Sequence, residues 1–270
     1  MLVVVCIKQV PDTTQVKIDP VTGNLIREGV PFIMNPFDSH ALEESLRLKD
    51  RYGFQVAVIS MGPPNTEITL RKALALGVDN AVLLSDRAFG GADTLATSKV
   101  LAEAIKRLTQ KEEVVIVLCG KQTIDGDTAQ VGPGIASRLG YSQLTLVCHI
   151  EKIDLRTKKL IARRKLEGRD EVVEASLPVM ISVVREINTP RYPTVPMRLK
   201  TEAATLTRWD NKEMKLNEDT IGLKGSATQV RKIFSPERAI GEILGDGIAN
   251  PEEAAGLLID KLKENGFIHI

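Results

Sequence analysis

The sequence predicts an α/β protein: a parallel sheet covered by helices, with flanking antiparallel strands and an extended C-terminal arm. Three observations carry that prediction. Five short runs rich in β-branched residues, "LVVVCI", "FQVAVIS", "NAVLLS", "EVVIVLC" and "LTLVCHI", have the continuous apolar character of strands buried on both faces. Helical segments with recognisable starts and stops lie between them. From about Ile150 the pattern changes to alternating apolar and charged stretches with turn signals, which reads as antiparallel strands extending or flanking the sheet.

After the first strand, "VKIDPVTGNLI" reads as a hairpin, followed by the helix "NPFDSHALEESLRLKDRYG". Asp38 or Ser39 is its expected cap, Leu42, Leu46 and Lys49 share helical spacing, and Gly53 lies beyond the end. In "NTEITLRKALALG", Asn65 is the expected cap and Gly77 the terminator, and "ADTLATSKVLAEAIKRL" is capped by Asp93. A further helix is expected near Asp127. The segment "REINTPRYPTVPMRLKTEAATLTRWD" carries Pro190, Pro193 and Pro196 without a clean period, so it reads as an exposed loop or arm. The charged tail ends in a capped helix, "NPEEAAGLLIDKLKENG", with Leu257, Leu258 and Leu262 on one side. The expected division is an α/β domain over 1–184, a recognition loop over 185–204 and a C-terminal arm and helix over 205–270.

A length of 270 residues with 43% hydrophobic content is ample for a large core. A net charge of +1 gives no electrostatic reason to expect nucleic acid or an acidic membrane surface as partner. Cys6, Cys119 and Cys148 lie in or beside apolar runs with no CxxC pairing, as expected of buried thiols in a reducing cytoplasm. The start "MLVVVCIKQV" does not read as an export signal, and no apolar run approaches spanning length, so no membrane insertion is expected.

Polar segments follow the expected strands: "CIKQVPD", "SMGPPNTE", "SDRAFGGADT" and "GKQTIDGDT". Ligands of such sheets bind outside the carboxyl ends of the strands. Gly62, Gly90, Gly91, Gly120 and Gly126 permit close backbone approach, and helix N-termini direct free N–H groups toward the same rim. The convergence suits a phosphate-bearing ligand. The common nucleotide motifs are nevertheless missing. Val115 stands where a P-loop ending at Gly120-Lys121 would need its first glycine, and no G-x-G-x-x-G follows the first strand. His40, His149 and His269 have no evident catalytic or metal partner, and Asp125 with Asp127 lacks the further ligands of a calcium loop. Capping the following helix and binding a ligand are the expected roles of those two aspartates.

The ordered combination "VVVCIKQVPD", "NPFDSHALEESLRLK", "ISMGPP", "LRKALALGVDNAVLLSD", "GKQTIDGDTAQVG" and "EINTPRYPTVP" closely resembles the β subunit of electron transfer flavoproteins. The resemblance implies a Rossmann-like domain of the adenine-nucleotide-hydrolase type, a heterodimer with an α subunit, and electron carriage by FAD. It places a nucleotide against Cys6, against the turn Asn35, Pro36, Phe37 and Asp38, and against Met61 and Gly62. It also implicates Gly120, Lys121, Gln122, Thr123, Ile124 and Asp125, and onward through Gly126, Asp127, Thr128, Ala129, Gln130 and Val131.

The same resemblance makes "NTPRYPTVP" a recognition loop for partner dehydrogenases of the acyl-CoA or another flavin type, with Tyr192 and Val195 as partner-binding residues and Val195 at an apolar tip. It leaves open whether the nucleotide is AMP or FAD. Small residues at Gly126, Thr128 and Ala129, and the placement of Thr94 and Thr97 after "FGG", are similar to those of the bifurcating subgroup. In that subgroup the β flavin takes hydride from NADH, and electrons pass to ferredoxin or flavodoxin and to the α flavin. The alternative is a nucleotide-sensing regulatory protein with a universal-stress-like sheet. An adenylating enzyme of the same broad fold would show S-G-G-x-D-S after its first strand, where this chain has "CIKQVPD".

Overall fold

A computed structural model describes residues 1–12, 17–18, 25–26, 31–202, 204–229 and 241–269. By internal contacts the chain divides into Met1–Arg231 and Lys232–Ile270. The first body is built on β1 (Leu2–Cys6), whose five residues are all buried. A two-stranded antiparallel ladder of β2 (Gln9–Pro11) and β5 (Phe32–Met34) follows it. The expected hairpin is present as β3 (Lys17–Ile18) pairing β4 (Leu25–Ile26); its turn lies outside the described residues.

The main strands are β6 (Gln55–Met61), β7 (Asn80–Leu84), β8 (Val114–Gly120), β9 (Ser142–Asp154), β10 (Lys159–Leu166), β11 (Arg169–Ser176), β12 (Val179–Val183) and β13 (Thr207–Trp209). With β1 they make one nine-stranded sheet in the order β11-β10-β9-β12-β8-β1-β6-β7-β13. From β9 to β13 every neighbouring pair is parallel, while β10 and β11 extend the other edge antiparallel. The α/β class and the antiparallel flank are thus as expected.

Two expectations change. The run "VMISV" lies within the stretch from Ile150 that the sequence predicts as antiparallel, yet as β12 it inserts parallel between β8 and β9, and its five buried residues have the pattern of a strand covered on both faces. The proline-bearing segment is not all loop: it contains α5 (Val195–Glu202) and returns as β13 to pair with β7.

Helices α1 (Pro36–Tyr52), α2 (Glu67–Leu76), α3 (Thr94–Thr109) and α4 (Val131–Leu139) cover the sheet. Alternate residues of β1 serve its two faces. Val3 and Val5 pack with Leu42, Leu46 and Leu70 of α1 and α2, while Leu2, Val4 and Cys6 pack with Val100, Ile105 and Ile135 of α3 and α4. Asp93 caps α3 through the Ala96 N–H, and Gly53 and Gly77 end α1 and α2 at positive φ, all as expected. Three starts differ. Helix α1 begins at Pro36, whose fixed φ suits the first helical position, so Asn35 precedes it and Asp38 sits within its first turn. Asn65 lies in a 3₁₀ turn ahead of α2, and α4 begins at Val131 rather than near Asp127.

A short α6 (Asn211–Met214) follows β13. In the second body, α7 (Pro251–Glu264) forms where the terminal helix was expected, with Leu257 and Leu258 exposed. No helix among the described residues is long and apolar enough to cross a membrane.

Candidate nucleotide site

Chain connections leave β1 toward β6 on one side, whereas β8 enters on the other, so the carboxyl ends of β1 and β8 flank the topological switch point. A cavity of about 400 Å³ opens there. Cys6, Lys8, Cys119 and Gly120 come from the two strand ends, Phe89 to Thr97 from the start of α3, and Gly126 to Gly132 from the glycine-rich loop and the start of α4.

The floor is fixed by Asp38. Its carboxylate accepts from Lys8 N at 2.8 Å and from Gly120 N at 3.0 Å, joining the chain that leaves β1 to the chain that leaves β8. Burial pushes its pKa up to about 7, against the opposing pull of those N–H donors and of Asn35. Gly120 is required by close approach: a Cβ there would lie 2.5 Å from Phe37 Cβ and 2.5 Å from Asp38 Oδ1.

The loop is held from beneath. Asn35, fully buried, donates from Nδ2 to Gln122 O at 2.9 Å and accepts at Oδ1 from Ile124 N at 3.2 Å. Lys8 Nζ meets Asp125 at 2.6 Å, and Gln122 Nε2 donates to Asp127 Oδ1. Neither aspartate caps α4, because one is engaged by lysine and the other by the loop's own amide side chain. Asp127 and Ala129 have left-handed φ of 54° and 55°. For alanine that conformation costs about 1–2 kcal/mol. Among the described residues, no acceptor meets the N–H groups of Thr128, Ala129 and Gln130. Consecutive unspent amides on a strained turn leading into a helix N-terminus form an anion-binding concavity.

Opposite this loop, the start of α3 is already occupied. The Asp93 carboxylate takes Ala96 N at 3.0 Å and Thr228 N at 2.9 Å. Its charge repels a second anion, so the adjoining wall of Gly91, Ala92, Thr94 and Thr97 suits neutral polar atoms. Thr94 Oγ1 donates to Gln130 Oε1 at 2.8 Å and ties the two rims.

Of the residues expected at the site, Cys6, Asp38, Met61, Thr94, Thr97, Gly120, Lys121, Gln122, Thr123, Gly126, Thr128, Ala129, Gln130 and Val131 line the cavity. Asn35 and Asp125 stand behind the lining as supports. Pro36 starts α1, and Phe37 packs under Lys121 and Arg185, with Nζ and Cζ at 5.4 and 4.9 Å from the ring centroid. Gly62 faces Thr66 Oγ1, where a Cβ would approach to 2.4 Å. Ile124 and Asp127 shape the loop from outside. Sequence reasoning missed Lys8, Phe89, Leu101, Cys119 and Gly132 as walls; only the polar and glycine content of "CIKQ" and "VGPG" hinted at two of them.

Tyr192 and Val195 are exposed, at 92% and 70%. Val195 is the first residue of α5 rather than the tip of a loop. A hollow of about 510 Å³ beside Met1, Glu112 and Tyr141 lies at the amino ends of the strands, away from the glycine-rich loops.

Residues 22–214 match the family model described as the electron transfer flavoprotein domain. The chain is 48% identical over 269 residues to an electron transfer flavoprotein subunit beta of Clostridium acetobutylicum, covering 99% of this chain and 100% of that protein. It is 47% identical over 270 residues to the caffeyl-CoA reductase-Etf complex subunit CarD of Acetobacterium woodii, covering 99% and 100%. Protein FixA of Azotobacter vinelandii is 44% identical over 262 residues, covering 96% and 93%.

Proposed function

From the premise that the chain belongs to the electron transfer flavoprotein family, as a β subunit, we propose that the switch-point cavity holds FAD, with its phosphates on the amides of the 128–130 turn. AMP is the smaller alternative for the same cradle. The observation that carries the reading is the run of unspent N–H groups beside left-handed Asp127 and Ala129; the wall at Gly91, Thr94 and Thr97 in the same cavity supports the larger ligand. Family membership disfavours the nucleotide-sensing alternative.

When bound, the flavin supplies one- and two-electron transfer. The chain's residues supply position and shelter. Asp38 and Asn35 fix the floor and the loop, Phe89 and Leu101 exclude water from one wall, and Thr94 and Thr97 offer hydroxyls to a ring edge. In this reading the subunit pairs with an α subunit, α7 packing on it. The heterodimer takes electrons from NADH and delivers them to the α-subunit flavin and to ferredoxin or flavodoxin. A dehydrogenase of the acyl-CoA type docks at Tyr192 and Val195. The name of the CarD relative, which places it in a caffeyl-CoA reductase complex, supports that class of partner.

Extraction and mass measurement of the cofactors of the purified heterodimer test the proposal. Two FAD and no AMP per heterodimer are expected, and Thr94→Leu with Thr97→Leu removes one of the two flavins. One FAD and one AMP per heterodimer overturns the dinucleotide reading and leaves the family unchanged.

A further inference from the structure

Two thiols share the floor of this cavity. Cys6 of β1 and Cys119 of β8 are direct register partners in a parallel pair. Both side chains face the α3 and α4 side of the sheet, both line the cavity, and both are free. Neighbouring strands lie about 4.7–4.9 Å apart, within the roughly 4.4–6.8 Å that a disulfide spans between Cα atoms. Cys148 is remote from the pair in β9.

We propose that Cys6 and Cys119 form a two-thiol switch, which a hydroperoxide or a low-molecular-weight disulfide closes into a Cys6–Cys119 bond that bars the nucleotide. The gating half rests on the nucleotide reading above; the bond itself does not. Closure breaks two S–H bonds and makes one S–S bond. The two electrons and two protons reduce the external disulfide to two thiols, or the hydroperoxide to an alcohol, or water, plus water.

The effect on the site follows from what the sulfurs touch. Cys119 Sγ seats against Gly132, where a Cβ would approach it to 2.8 Å, so this sulfur supports the first turn of α4 directly after the unspent amides. Drawing it toward Cys6 withdraws that support. The same movement displaces Gly120 and Lys8, which Asp38 holds in common. Burial pushes both thiols up, aided at Cys6 by charge on Cys119 and Asp38 and at Cys119 by charge on Asp38, so thiolate is scarce and closure is slow. A filled cavity shields both sulfurs.

The test uses the heterodimer carrying Cys148→Ser in this chain, stripped of nucleotide, then exposed to oxidised glutathione or hydrogen peroxide. Peptide mapping without reductant is expected to find the Cys6 and Cys119 peptides linked. Adding AMP or FAD at ten times its Kd slows linkage about tenfold by mass action. Linked protein loses AMP and FAD binding, dithiothreitol restores it, and Cys119→Ser brings the ratio of affinities with and without oxidant back to one. Recovery of both residues as free thiols, or as separate glutathione adducts, overturns the proposal. So does a linked protein that binds AMP and FAD unchanged. Linkage in a chain that binds neither nucleotide when reduced overturns the nucleotide reading and the gating, and leaves the thiol pair standing.

Discussion

The loop after β8 and the arm after β12 leave adjacent parallel strands at the same end of the sheet, and they dispose of their polar groups in opposite ways. The loop over 121–130 is held at its base by Asn35 and Lys8 and at its end by the Thr94–Gln130 bond, and leaves a series of amides unspent. The arm commits its groups to α1. Asn188 Nδ2 donates to His40 O and to Glu44 Oε2, both at 3.0 Å. Arg191 reaches Glu43 with its backbone N–H at 3.0 Å and with Nε at 2.9 Å, and extends to Asp50 at 2.8 Å. Burial pushes the Glu43 carboxyl up, and the bonds from Arg191 and Arg47 outweigh it and hold the group below its usual range. Tyr192, Val195 and Leu199 are left bare. The loop thus stands out by what it leaves unsatisfied, and the arm by a satisfied base beside exposed apolar residues.

The harshest way to break the contrast is to remove the loop's foundation. Gly120→Val drives a side chain into Phe37 and Asp38, and is expected to cost about 3 kcal/mol in chemical denaturation. A loss below 1 kcal/mol would mean that the floor yields freely.

Asp38 sharpens the contrast through pH. Its folded pKa of about 7 lies above the ordinary 3.8, so the folded chain holds this proton more tightly than the unfolded chain. The stabilisation is complete below the ordinary value and is lost as pH rises through about 7. Denaturation of the wild type and of Asp38→Asn across that interval should therefore show the variant gaining relative stability as pH rises. Parallel curves would remove Asp38 from the account.

For the arm, Arg191→Ala releases Glu43 and Asp50. The expected loss is about 1–2 kcal/mol, moderated by the partial exposure of the guanidinium. Amide hydrogen exchange should quicken across 186–194 and stay unchanged across 121–130. Equal quickening in both segments would show that they are not separately mounted.

The smallest change acts within the loop itself. Ala129→Gly relieves the left-handed strain and is expected to stabilise the chain by about 0.5–1 kcal/mol, after allowance for the greater freedom of glycine when unfolded. Nucleotide affinity should fall, because the turn is no longer pre-set. Higher stability together with unchanged affinity would show that the strain serves nothing at the site.

Much of this was legible in the sequence. The apolar runs that became β1, β6, β7 and β8 are continuous because both faces are buried, and the polar, glycine-bearing segments after them mark the rim. Strand β12 was harder to place, since a five-residue apolar run beside two charged hairpin strands carries no sign of its direction. The start of α4 was misplaced because Asp127 has a capping residue's chemistry, and only the backbone shows that its carboxylate faces Gln122 and its φ is left-handed. Asn35, expected as a ligand contact, spends two hydrogen bonds on Gln122 and Ile124, nearly ninety residues along the chain. Pairings of that range leave no local trace. Phe89 and Leu101 became cavity walls by the packing of α3, and in sequence they look like any core residue.

The register of β1 also has a consequence for how the molecule is made. Leu2 pairs on one side with Gln55 and on the other with Val114, so β1 leaves the ribosome before both of the strands that will flank it in the finished sheet. At about 5–20 residues per second, its second neighbour emerges on the order of ten seconds later. Throughout that interval the open edge of "LVVVC" offers unpaired backbone and apolar side chains to any other nascent strand. Faster translation of the segment between β1 and β8 would shorten that exposure, and pausing there would lengthen it.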